Sequence, residues 1–167
     1  FHENSHLNTK KVDTAHLFME NKCIGCTIMM NRAILPYLKE LPEEIRVHDW
    51  WLALICSHFG AIGYLPEATL MYRQHEGNQI GGTSYSGYLK KRVSKMKEQR
   101  QVLFDTYRQG KAFLQVFDSK MTKEQRKTAT KFAAMTDASF LGRRYLALRY
   151  GFLKSGLIRN AGLFFLL

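Results

Sequence analysis

Two patterns of apolar and polar positions divide this chain near Gly87. Before it, short apolar runs alternate with polar turns; after it, apolar residues recur at helical spacing. Cys23–Met30, "CIGCTIMM", is short and apolar and contains glycine, which predicts a buried strand. Asn31 is placed to cap a short helix toward Tyr37, with Pro36 limiting its length. Trp50–Phe59 is apolar on nearly every side and predicts a buried helix, with His48 or Asp49 as its N-cap and Gly60 as its stop. Ala61–Leu65 and Thr69–Arg73 predict two further short strands, followed by a loop rich in Gly, Ser and Asn.

Beyond Gly87, Leu89, Val93, Met96, Leu103 and Tyr107 mark one face of a long helix from Tyr88 to Gln109, ended by Gly110. Thr122 and Gln125 have the spacing of a capping box, which predicts a second helix to about Ala138. Ser139–Tyr150 and Ser155–Leu167 predict two more, parted by glycines. The expectation is an α/β part over residues 1–87 and a helical extension over 88–167.

Charge sharpens this division. The net charge of the 167-residue chain is +11. Residues 1–87 carry 7 Lys and Arg against 9 Asp and Glu, a balance of −2; residues 88–167 carry 18 against 5, a balance of +13. So one-sided a distribution suits an anionic partner, either a membrane surface or a nucleic acid. Basic and aromatic residues do not interleave as a base-stacking platform, and no nucleic-acid motif is present, which disfavours nucleic acid. A basic helical module that binds nucleic acid or a protein partner remains the alternative reading. No apolar run is long enough to span a membrane. The start is polar, lacks an initiator Met and reads as part of a longer chain. Three Cys argue against a disulfide framework, and Cys23 and Cys26 form a C-x-x-C without a second pair at zinc spacing. His2 and His6, four apart, carry no metal expectation.

Candidate chemistry centres on Asp49 and on the strand end at Arg73 and His75. A carboxylate at a helix N-terminus is held as the anion by free N–H groups and the helix dipole. That suits a cap, and equally a fixed general base. Trp50 and Trp51 point to different sides of the helix, so one is placed for the core and the other for a sugar ring beside the acid. Arg73 and His75 share a strand face, where a cation and an imidazole suit a diphosphate.

Taken together, "CIGCTIMMNRAI", "HDWWLALICSHFGAIGYLPEATLMYRQH" and "GNQIGG" resemble the C-terminal half of family-2 glycosyltransferases, most of all bacterial rhamnosyltransferase-type members that build cell-surface polysaccharides. The resemblance covers about residues 20–85. It implies an incomplete GT-A fold, the acceptor half of the enzyme, followed by a variable helical extension. It assigns Asp49 as catalytic base, the second member of a His-Asp pair with His48. Gly25 and Cys26 border the donor sugar and acceptor, and His75 lies near a divalent cation (Mg or Mn) and the donor diphosphate, with Arg73 beside it. The implied partners are a nucleotide-sugar donor and a glycan or lipid-linked glycan acceptor, at the cytoplasmic face of the cell membrane. The family's Asp-x-Asp motif occurs nowhere in the sequence, so this chain alone is expected to be inactive.

Overall fold

A computed structural model describes residues 7–71 and 95–167. Arg73, His75, the Gly-rich loop, the start of the predicted long helix and the His2–His6 pair lie outside the described residues. In chain order the helices are α1 (Thr14–Met19), α2 (His48–Phe59), α3 (Met96–Phe117), α4 (Lys123–Ala133), α5 (Phe140–Tyr150) and α6 (Leu157–Leu166), with 3-10 turns at Gly25–Thr27, Arg32–Tyr37 and Asp118–Lys120.

The α/β, GT-A-type expectation is overturned: among the described residues there is no strand and no sheet. A strand needs a neighbour for its N–H and C=O groups. The described part of the chain supplies none, so the apolar runs take local hydrogen bonds instead. "CIGCTIMM" tightens into the Gly25–Thr27 turn, closed by Thr27 N–H to Ile24 O at 2.8 Å, and leaves Met29 fully exposed. Ala61–Leu65 is irregular and largely exposed.

Local signals elsewhere act as their chemistry dictates. The Asn31 side chain accepts from Ala33 N–H at 3.1 Å and starts the Arg32–Tyr37 turn. Thr122 and Gln125 form the capping box of α4. Ser139 caps α5, and Gly151, at φ 72°, ends it in the left-handed conformation that glycine adopts without strain. Asp13 caps α1, a helix too short to show periodicity in the sequence.

α2 cannot lie on a surface, because Trp50, Trp51, Ala53, Leu54, Ile55 and His58 are all buried. Its wrapping is largely aromatic. Phe18 of α1 stacks on Phe132 of α4 with centroids 4.6 Å apart, and meets Phe113 of α3 edge-on at 5.8 Å. Trp51 meets the same Phe113 edge-on at 5.2 Å. Phe152, just past α5, meets Phe132 at 5.0 Å. One core therefore runs across the Gly87 boundary, from Leu17 to Leu167. A buried polar clasp reinforces it. The Glu20 carboxylate, at the end of α1, accepts from Ser155 N–H and Oγ–H and from Arg159 of α6 at 2.8 Å.

Gly110 does not end the long helix, as its sequence position suggested. It lies buried in the middle of α3, where α4 crosses. A methyl group there would sit 2.3 Å from the Phe132 ring, itself fixed between Phe18 and Phe152. Gly110→Ala gains about 1 kcal/mol of helix propensity. Overpacking against an immovable ring costs more, typically about 1–3 kcal/mol. The variant is therefore expected to unfold at lower urea concentration than wild type.

His58 is the buried imidazole of this core. Its Nδ1–H donates to Leu54 O at 2.9 Å, and Nε2 faces aromatic neighbours without a hydrogen-bond partner among the described residues. Burial lowers its pKa from 6.5 to about 4. The neutral ring is thus favoured by folding. Its contribution is complete above pH 6.5 and is lost as pH falls toward 4, amounting to ~3 kcal/mol. Urea unfolding at stepped pH should show this slope, and His58→Phe should remove it.

Candidate active site

The start of α2 is where this enclosed helix meets the surface. Val47 is the N-cap residue and makes no side-chain cap bond. Asp49, in the first turn, is buried. Neither His48 nor Asp49 is the N-cap that the sequence suggested, and the Asp49 carboxylate bonds outside the helix. Oδ2 accepts from the backbone N–H of Gly25 at 3.1 Å, and Oδ1 accepts from the Asn21 amide at 2.9 Å. Both partners come from the segment that follows α1, some two dozen residues away.

Asn21 is held in that orientation by its own backbone. Its Oδ1 accepts from Cys23 N–H at 2.9 Å, an Asx turn that leaves only the NH2 to face Asp49. The segment therefore presents two donors to one carboxylate. His48 completes the cluster. Its exposed ring packs over Gly25 so closely that a methyl group on Gly25 would lie 2.5 Å from Nε2. Glycine at 25 is required for that approach, not for an unusual backbone angle.

The remaining sequence-derived candidates fall as follows. Cys26 is exposed in the Gly25–Thr27 turn. Cys23 is partly buried, and burial, then the nearby Asp49 charge, push its thiol up to about 11. It stays protonated at neutral pH, which disfavours Cys23 as a thiolate nucleophile. The two Trp do not divide between core and cleft. Trp51 is 1% exposed and Trp50 5%. Trp50 Nε1–H donates to Leu17 O, and the Arg46 guanidinium covers its ring at 5.1 Å. Two adjacent indoles on a helix enclosed on nearly all sides both become core, so neither offers an open face to a sugar.

Asn21 is the site residue that pattern reading missed. An Asn two residues before a Cys-x-Gly turn was the available signal. Arg46 is a second, with its guanidinium also donating to Thr106 at 2.9 Å and burial lowering its pKa. A shallow groove of about 220 Å3 runs between the Arg32–Tyr37 turn and α2, lined by Met29, Ile34, Cys56 and Phe59. Asp49 is not among its walls.

The described residues do not fit a divalent cation. They hold no group of three or more His, Cys, Asp or Glu side chains that could ligate one. Comparison with protein-family models, curated proteins and solved structures finds no match to this chain.

Asp49→Asn replaces one accepting oxygen by an NH2 that must face either Gly25 N–H or the Asn21 amide. Leaving a partly buried donor unpaired costs about 1–3 kcal/mol. The variant is expected to lose stability in that range in urea titrations at neutral pH. Gly25→Ala is expected to change stability little, because the exposed His48 ring can swing into solvent.

Proposed function

We propose that this chain carries the acceptor-activating part of an inverting glycosyltransferase, with Asp49 as general base. One observation supports this reading above the rest: the Gly25–Asp49 hydrogen bond. It joins two of the three sequence segments that resemble family-2 glycosyltransferases, "CIGC" and "HDWW", around the carboxylate to which the resemblance assigns catalysis. The reading concerns the chemistry of this cluster and not a sheet architecture.

In the proposed step, Asp49 takes the proton from an acceptor hydroxyl as that oxygen attacks the anomeric carbon of the donor sugar. The C–O bond to the nucleoside diphosphate breaks as the new glycosidic bond forms, which inverts the anomeric configuration. A base in this role needs hydrogen-bond reach of the hydroxyl, about 2.6–3.2 Å. Gly25 and Asn21 fix the carboxylate in place so that little reorganisation accompanies proton transfer. His48, on the solvent side of Gly25, is placed to orient the acceptor. The sequence holds no Asp-x-Asp, so in this reading residues outside the chain bind the nucleotide-sugar. The donor is a nucleotide-linked sugar such as rhamnose, and the acceptor a cell-surface polysaccharide or lipid-linked glycan.

The test uses the polypeptide that joins this sequence to its nucleotide-sugar-binding part. Transfer from nucleotide-sugars to glycan acceptors is followed by mass spectrometry, below the unfolding temperature of every variant. Asp49→Asn is expected to lower kcat by about 100-fold or more, the range for losing a general base. Nucleotide-sugar binding, read by calorimetry, should persist. Near-normal turnover by Asp49→Asn would remove Asp49 from the role.

A further inference from the structure

The C-terminal helices expose an apolar surface that the fold does not use. On α6, Leu157, Ile158 and Phe165 are 89%, 56% and 69% exposed. With Ala161 and Gly162, also exposed, they lie within one side of the helix, and that side carries no polar side chain. The opposite side holds Leu163 in the core and Arg159 in the clasp with Glu20. On α5, Phe140, Leu141, Tyr145 and Leu148 form a second exposed stripe. Arg144 links the two helices: its guanidinium lies over the Phe140 ring at 3.4 Å and donates to Phe164 O near the end of α6. Contiguous apolar exposure of this kind marks an interaction site rather than ordinary surface.

Its charge surroundings select the partner. Residues 138–167 contain no Asp or Glu; besides Arg159, which is paired with Glu20, their cations are Arg143, Arg144, Arg149 and Lys154. A shallow groove beside Phe165 and Leu166 has the exposed cations Lys97 and Arg100, from the first turns of α3, on its other wall. Aliphatic and aromatic side chains flanked by cations match an anionic lipid surface, where apolar groups enter the headgroup boundary and cations meet lipid phosphates. A second copy of this chain would bring two basic faces together. Nucleic acid would leave the leucines and Ile158 without a partner. Among the described residues no helix is long and apolar enough to cross a membrane. α6, at ten residues, is about 15 Å long and suits a position along the interface rather than across it.

We propose that α5 and α6 form a membrane-docking face that lays the exposed side of α6 into an anionic bilayer surface. The proposal stands on residues remote in sequence from Asp49 and does not depend on the catalytic reading.

The test is co-sedimentation of the chain with vesicles of phosphatidylcholine alone and of phosphatidylcholine mixed with phosphatidylglycerol, at low and high salt. Binding to the anionic vesicles that weakens in high salt is expected. A Leu157→Glu, Phe165→Glu double variant should lower the partition coefficient at least about tenfold. An Arg149→Glu variant should lower it mainly at low salt. All three side chains are exposed, and an unchanged circular-dichroism melt checks that the fold is intact. Absence of binding to anionic vesicles, or binding indifferent to the double variant, would overturn the proposal. So would a dimer in analytical ultracentrifugation that the double variant dissolves, or salt-dependent binding to duplex DNA in place of lipid.

Discussion

α2 is apolar on nearly all sides, and that single constraint organises the molecule. A helix of this kind has to be enclosed, and one short helix cannot do it. α1, α3 and α4 close around it with large aromatic rings, and Phe18 is the side chain on which they converge, touching His58, Phe113 and Phe132. Gly110 lets α3 and α4 approach closely enough for Phe132 to complete that stack. The Glu20–Ser155–Arg159 clasp then ties the end of α1 to α6. Its geometry is satisfied by three donors, as a buried carboxylate requires.

Enclosure also decides where function can lie. With most of its sides buried, α2 exposes His48 in its first turn, beside the buried Asp49. The helix N-terminus favours a carboxylate there. The segment after α1 brings it two N–H donors. A fixed, buried carboxyl group beside an exposed imidazole results from packing that would be needed for stability alone. What distinguishes it from a helix cap is that both oxygens bond outside the helix.

Much of the local structure was legible in the sequence. Asn31, Thr122 with Gln125, Ser139, Gly60 and Gly151 each acted through a side chain or backbone preference that short-range chemistry dictates. Long-range decisions were not. "CIGCTIMM" has strand composition, but a strand exists only beside a partner, and composition does not say whether one is present. Gly110 looks like a stop signal in one dimension and is a crossing point in three. Trp50 and Trp51 were expected to divide between core and cleft because they are adjacent. That expectation overlooked how completely α2 is surrounded. In the site, Asp49 and Gly25 stood out in their motifs, while Asn21 did not, because its role depends on an Asx turn aimed at a distant carboxylate.

The site depends on Asp49 gathering the "CIGC" turn onto the start of α2. Amide hydrogen exchange at Gly25, resolved by NMR in this chain and in its Asp49→Ala variant under conditions where both are folded, measures that directly. Protection of the Gly25 amide in wild type, lost in the variant while amides within α2 and α3 keep theirs, is the predicted result. Equal exchange at Gly25 in the two proteins would contradict it.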